Sequence, residues 1–120
     1  MENKRLFGNQ LEVEVCKYLT KNNCQIIETN FQSKFGEIDI IAQDKDMLAF
    51  VEVRYRKLAY FGGAQASVDR KKQSRIIKTA SYYLQQKKLT HNTACRFDVV
   101  ALDGQANKLN FNWIKSAFIA

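Results

Sequence analysis

Two β-branched, apolar runs, Gly36-Glu37-Ile38-Asp39-Ile40-Ile41-Ala42-Gln43 and Met47-Leu48-Ala49-Phe50-Val51-Glu52-Val53-Arg54, are separated only by Asp44-Lys45-Asp46. Runs of this composition form strands, and so short a polar turn joins them as an antiparallel hairpin. With Lys45-Asp46 as a two-residue loop, Asp44 pairs with Met47, so Asp39 faces Glu52 and Glu37 faces Arg54. Strand side chains alternate, which places these four on one face and Ile38, Ile40, Val51 and Val53 on the other.

Two carboxylates directly opposed, with side chains about 5 Å apart, destabilise a hairpin unless something neutralises them. A divalent cation does so. Magnesium, or manganese, takes hard oxygen ligands, needs only one or two carboxylates and completes its shell with water and phosphate. Asp39 and Glu52 are therefore candidate metal ligands. They equally fit an ordinary sheet in which both acids are exposed or paired with Arg54 and Arg56.

The charge of the chain points the same way. Nineteen Lys and Arg against twelve Asp and Glu give a net charge of +7. From Arg54 to Lys88 there are ten basic residues and one acid, Asp69, so the surplus belongs to one segment. Such a tract neutralises phosphates and releases their counterions. Arg54, Arg56, Lys57, Arg70, Lys71, Lys72 and Arg75 are the candidate nucleic-acid contacts, and Tyr55, Tyr60 and Phe61 among them are able to stack on bases. The alternative is a solvated helix face that serves solubility.

Elsewhere, Leu11, Val15, Tyr18 and Leu19 recur at helical spacing and predict a helix over Asn9 to Lys21, with Glu12 at the edge of its apolar face. Cys24 to Asn30 suits a short strand. Ser67 is a plausible N-cap for a helix to about Lys88, with Asp69 in its first turn and Ile76, Ile77, Ala80, Tyr83 and Leu84 inward. Gln73 lies on that apolar face, so its amide either satisfies backbone groups or points into a site near the helix start. Tyr82, among the basic positions, is the aromatic of this helix best placed to meet nucleic acid. Arg96 to Leu102 and Lys108 to Ile114 read as two further strands. The expectation is a single α/β domain over residues 1–120, in the order α-β-β-β-α-β-β.

A chain of 120 residues buries a sufficient core without staples. No apolar run is long enough to cross a bilayer, and no apolar segment of a signal peptide follows Met1 to Arg5, so the expectation is a cytoplasmic protein with no membrane partner. Cys16, Cys24 and Cys95 are odd in number and lack CxxC spacing, which predicts reduced thiols. His91 is expected in a solvated loop, Asp98 in a structural pairing and Trp113 in the core. Phe118-Ile119 at the end of the chain either supports a homodimer or folds back on the sheet.

Gly36-Glu37-Ile38-Asp39, Phe50-Val51-Glu52-Val53-Arg54-Tyr55-Arg56, Phe61-Gly62-Gly63-Ala64 with Lys72-Gln73, and Arg96-Phe97-Asp98-Val99-Val100-Ala101 together resemble the YraN family of small bacterial proteins. That family is similar in fold to Holliday-junction resolvases of the PD-(D/E)xK nuclease superfamily. The resemblance implies a restriction-endonuclease-like domain, a mixed central sheet flanked by helices with the metal site at the hairpin. It also implies magnesium-dependent endonuclease activity on DNA, branched DNA included, in a homodimer. Carried onto this sequence, Asp39 is the motif aspartate, Glu52 the motif glutamate, and the Val53 carbonyl a third metal ligand. Glu12 matches a helix-borne acid and Gln73 a polar residue on the following helix, both counted as catalytic. The superfamily has Lys where this chain has Arg54. Guanidinium stays charged and cannot accept a proton, although it can orient water or stabilise charge on phosphate. Two functions are thus expected of one fold: hydrolysis of phosphodiesters with Arg54 in that role, or nucleic-acid binding without cleavage. A protein-interaction module is the third reading.

Overall fold

In the computed structural model, residues 4–55, 68–89, 93–105 and 107–120 are described, with side chains from Asn9 onward. The hairpin forms in the expected register. Strand β2 (Gly36–Asp44) runs antiparallel to β3 (Met47–Tyr55), with Asp44 opposite Met47 and Ile40 opposite Val51. Lys45 takes a left-handed conformation, φ 56°, at the turn. Before them come α1 (Lys4–Lys21) and β1 (Gln25–Ser33), and after them α2 (Arg70–Gln86), β4 (Cys95–Gln105) and β5 (Lys108–Phe118). The order α-β-β-β-α-β-β is the one expected, with α1 beginning five residues earlier than its apolar spacing shows and β1 continuing to Ser33.

The five strands lie in chain order in one mixed sheet. Only β3 and β4 are parallel, because α2 crosses over between them. Each helix covers one face. Leu11, Val15 and Leu19, one turn apart on α1, are buried against Ile40, Ala42, Ala49, Val51, Val100 and Leu102. Ile76, Ala80 and Tyr83 of α2 are buried against Phe31, Ile38, Ile41, Leu48, Phe50, Phe97 and Val99 on the other face. Burial on both faces is why β2, β3 and the middle of β4 read as nearly continuous apolar runs. Each buried Val, Leu, Ile or Phe among them contributes roughly 1.5–3 kcal/mol.

Four details differ from expectation. Ile38 packs with α2 while Ile40, Val51 and Val53 pack with α1, so Ile38 and Ile40 face opposite ways. The chain is distorted at Asp39 between them, and its neighbour on β1, Asn30, is also irregular, at φ 54°. Secondly, α2 is capped by Asp69, whose carboxylate accepts the Lys72 N–H at 2.8 Å, two residues after the expected Ser67; Ser67 lies outside the described residues. Thirdly, β5 runs four residues beyond Ile114. Phe118 stacks on Phe97 of its own sheet, with centroids 5.2 Å apart, leaving Ile119 exposed. Lastly, Arg54 is held by Glu52 and not by Glu37, as set out below.

At the far end of β2 the sheet buries a polar hub. Asp98, fully buried, accepts from Arg96 Nε at 3.0 Å, Trp113 Nε1 at 2.9 Å and the Ser116 N–H at 2.9 Å. Arg96 also donates to Asp44 at 2.8 Å. This confirms Asp98 as structural and puts Trp113 at the edge of that hub. Cys16, Cys24 and Cys95 are free thiols. Among the described residues, no helix is long and apolar enough to cross a membrane. His91 lies outside them.

Candidate functional site

Beyond the Ile40–Val51 rung, β2 and β3 stop pairing as a regular ladder. The Val53 N–H donates to the Asp39 carboxylate at 2.9 Å. A side chain takes the place of a backbone acceptor, which draws Asp39 across the gap to Glu52. The two carboxyls come within hydrogen-bonding reach of each other. Glu52 is only 5% exposed.

Two cations meet at one oxygen of Glu52. Arg54, two residues along the same face of β3, places Nη2 3.2 Å from Oε2. Lys72, from the first turn of α2, places Nζ 3.5 Å from the same atom. The Asp69 cap fixes that first turn, and so fixes where Lys72 emerges. Arg54 Nε is buried with no acceptor, a spare donor beside the pair.

Glu12 reaches the same end of the sheet from α1. Its Oε1 accepts from Asn30 Nδ2 at 2.8 Å, and the left-handed backbone of Asn30 is what turns that amide toward the helix. Glu37, exposed on β2, completes the group.

The electrostatics follow from this crowding. Glu52 is pushed up to about 7, first by burial and then by the charge of Asp39, with Lys72 and Arg54 opposing. Asp39 is also raised by burial, against the Val53 N–H and Lys72. Burial therefore holds both carboxyls of the pair above their ordinary range, and the charge of Asp39 raises Glu52 further. Glu12 is pushed up to about 7 by burial, then by Asp39 and Glu37. Glu37 is raised by burial and by Asp39. Lys72 and Arg54 oppose the charge of Asp39 and Glu52, and Lys72 that of Glu37, whereas the charges acting on Glu12 are acids.

Two hard oxygen donors whose charge is disfavoured by burial are a fit for a divalent cation. Asp39 and Glu52 are the residues that would hold it. Among the described residues no group of three or more His, Cys, Asp or Glu is placed to hold a metal ion. A pair suffices for magnesium, which keeps several waters.

The structure thus brings together Glu12, Asp39, Glu52, Arg54 and the backbone of Val53. Val53 enters through its N–H. Gln73 takes the first of its two expected roles, its Nε2 donating to the Val68 carbonyl at 3.0 Å. Arg70, Lys71 and Arg75 are exposed on α2, while Arg56 and Lys57 lie outside the described residues, as do Tyr60 and Phe61. Lys72, expected only to contact phosphate, sits instead on Glu52. Its spacing carries the signal: Lys72 lies four residues before buried Ile76 and so on the sheet-facing side of the helix.

Residues 11–102 match the uncharacterised protein family UPF0102. A UPF0102 protein of Aliivibrio fischeri (strain MJ11) is 42% identical over 119 residues, covering 98% of this chain and 95% of its own. One of Colwellia psychrerythraea (strain 34H / ATCC BAA-681) is 44% identical over 112 residues, 92% of this chain and 87% of its own. One of Francisella tularensis subsp. novicida (strain U112) is 42% identical over 112 residues, 92% of each. The motif order read from the sequence and these matches agree: the chain belongs to the UPF0102 family, the YraN family that its motifs resemble.

Proposed function

We propose that the protein is a magnesium-dependent endonuclease that hydrolyses phosphodiester bonds in DNA, with branched DNA as the resolvase-like substrate. The observation that carries this reading is the pairing of Asp39, held by the Val53 N–H, with buried Glu52, which Lys72 and Arg54 meet at one oxygen. Structural ion pairs are arranged to favour charge, whereas this cluster penalises it.

Asp39 and Glu52 would hold the cation, with the Val53 carbonyl as a further oxygen donor. When bound, that ion supplies Lewis-acid chemistry, acidifying water and neutralising charge on the scissile phosphate. Lys72 occupies the place next to Glu52 from which an ammonium orients a water or a phosphate oxygen, so the substitution of Arg54 for the superfamily lysine does not empty the site. Arg54 keeps the spare Nε donor for developing negative charge. Glu12, through Asn30, ties α1 to β1, the strand next to the one that carries Asp39. Arg70, Lys71 and Arg75, exposed beside Lys72, hold the backbone without reading sequence. A two-fold junction calls for a homodimer, and Ile119 is an apolar residue left exposed for one.

The test is cleavage of branched and linear DNA with magnesium, wild type against Glu52→Gln and Lys72→Ala. Metal-dependent cutting lost in Glu52→Gln, and reduced about 10- to 100-fold in Lys72→Ala, is expected. Binding that is indifferent to chelator, with no turnover, would establish the rival reading of a nucleic-acid-binding protein without cleavage. The Arg54–Glu52 ion pair is the observation that favours that rival.

A further inference from the structure

A second feature lies along α2, outside the carboxylates. Phe35, in the turn between β1 and β2, and Tyr82, on α2, line a cavity of about 240 Å³ with Ile77, Lys78, Ser81 and Gln85. It is smaller than the roughly 300–1,000 Å³ of sites for drug-sized ligands and suits one planar group.

Its walls are held in place. The Phe35 N–H donates to Ser33 Oγ at 3.0 Å, and Ser33 Oγ bonds Thr79 Oγ1 of α2 at 3.0 Å. Tyr82 is 41% exposed, although its ring leans on Phe31 at 6.1 Å and its hydroxyl accepts from Gln86 at 3.2 Å. Neither aromatic is spent in the core.

The surroundings are cationic. Lys34 and Lys78 place their ammonium groups 5.4 and 5.9 Å from the Phe35 centroid. No acid occurs anywhere in α2. Lys72, Arg75 and Lys78 follow at three-residue steps, a row about 9 Å long along the helix axis that leads from Glu52 to the cavity.

We infer that this cavity receives an unpaired base of a DNA strand, stacked on Phe35 and Tyr82, while Lys34, Lys78 and Arg75 hold its phosphates. Aromatic faces beside a cationic track are the means by which proteins hold single strands. A base inside a duplex has no free face to offer. The substrate is therefore DNA with an unpaired stretch beside the cut, such as a fork or flap. The inference takes from the proposed function only where the strand leads; the binding itself needs no metal and no turnover.

The experiment uses the full chain in chelator. Oligonucleotides carrying one 2-aminopurine, as single strand, forked duplex and continuous duplex, are titrated for fluorescence quenching and anisotropy. The fork and single strand should be quenched on binding and bound at least about 10-fold more tightly than the duplex. Phe35→Ala and Tyr82→Ala should each weaken fork binding by roughly 5- to 100-fold and leave duplex binding unchanged, with Tyr82→Phe close to wild type. Lys78→Gln should reduce the salt slope of fork binding by about 1. Equal affinity for fork and duplex, loss of both together in the aromatic variants, or absence of quenching would overturn the inference. RNA bound as tightly as DNA would overturn its commitment to DNA. Glu52→Gln should quench as the wild type does, so intact quenching without cleavage refutes the nuclease and keeps the base site, and cleavage without quenching does the reverse.

Discussion

Strand β2 carries an acid near each end, and the two ends hold their acids in opposite ways. Asp44 is met by Arg96 at 2.8 Å and Lys115 at 3.3 Å, and the Arg96 hydrogen bond holds its carboxyl below the ordinary value of 3.8. The adjoining Asp98 has acceptors filled from three residues. Five residues back, Asp39 stands beside Glu52, and burial raises both. The first cluster is satisfied by its own neighbours and closes the sheet. The second holds its carboxyls above their ordinary range, and it is there that the proposed function places its metal ion.

Removing acids should therefore have opposite effects at the two ends. Asp98→Ala takes one of two carboxylates from Arg96 and leaves the Trp113 indole N–H and the Ser116 N–H without an acceptor, and should lower unfolding free energy by roughly 3–5 kcal/mol in a denaturant titration. Glu52→Gln removes a charge the native state disfavours. It should leave stability unchanged or raise it by about 1 kcal/mol in metal-free buffer, while activity falls by at least about 100-fold. A Glu52→Gln protein as destabilised as Asp98→Ala would show that both ends are structural.

The pH dependence sharpens the same contrast. Folded Glu52 and Glu12 keep protons to about pH 7, whereas unfolded glutamates release theirs near 4.5. Between those values the native state binds more protons, so metal-free stability should fall as pH rises from about 5 to 8. Asp44 acts the other way: its contribution is present above its ordinary value and is lost only in acid. Thermal melts across this range should show the decline in the wild type, a shallower one in Glu52→Gln and a flattened one with saturating magnesium. A rise with pH would contradict the assignment. The smallest effect belongs to Lys115, whose side chain is 53% exposed: Lys115→Met should change stability by no more than about 1 kcal/mol.

The sequence shows the hairpin clearly because a two-residue turn between two apolar, β-branched runs specifies one register, and Asp44 to Ile40 follow it. Alternation fails one residue later, at Asp39, where a side chain accepts the Val53 N–H and flips Ile38 to the other face. A hydrogen bond of that kind leaves no trace in hydropathy. The acids of the site were legible as opposed carboxylates, and Glu12 as an edge position. Regular pleating sets Glu37 opposite Arg54, but the ladder opens there and Arg54 pairs with Glu52, a pairing its place on the same face of β3 also allows. Lys72 was hidden by its charge, since a basic tract reads as surface even when one member lies four residues from buried Ile76. The cap moved from Ser67 to Asp69 because both residue types suit the position and only the hydrogen bond to Lys72 distinguishes them.

The claim that Asp39 and Glu52 await a divalent cation is tested most directly by titrating manganese into the full chain at pH 6.5, by calorimetry in buffers of different ionisation enthalpy. Saturable binding that releases protons in the wild type, and is lost in Asp39→Asn and Glu52→Gln, is the predicted result. No binding, or binding of equal affinity in both variants, would contradict it.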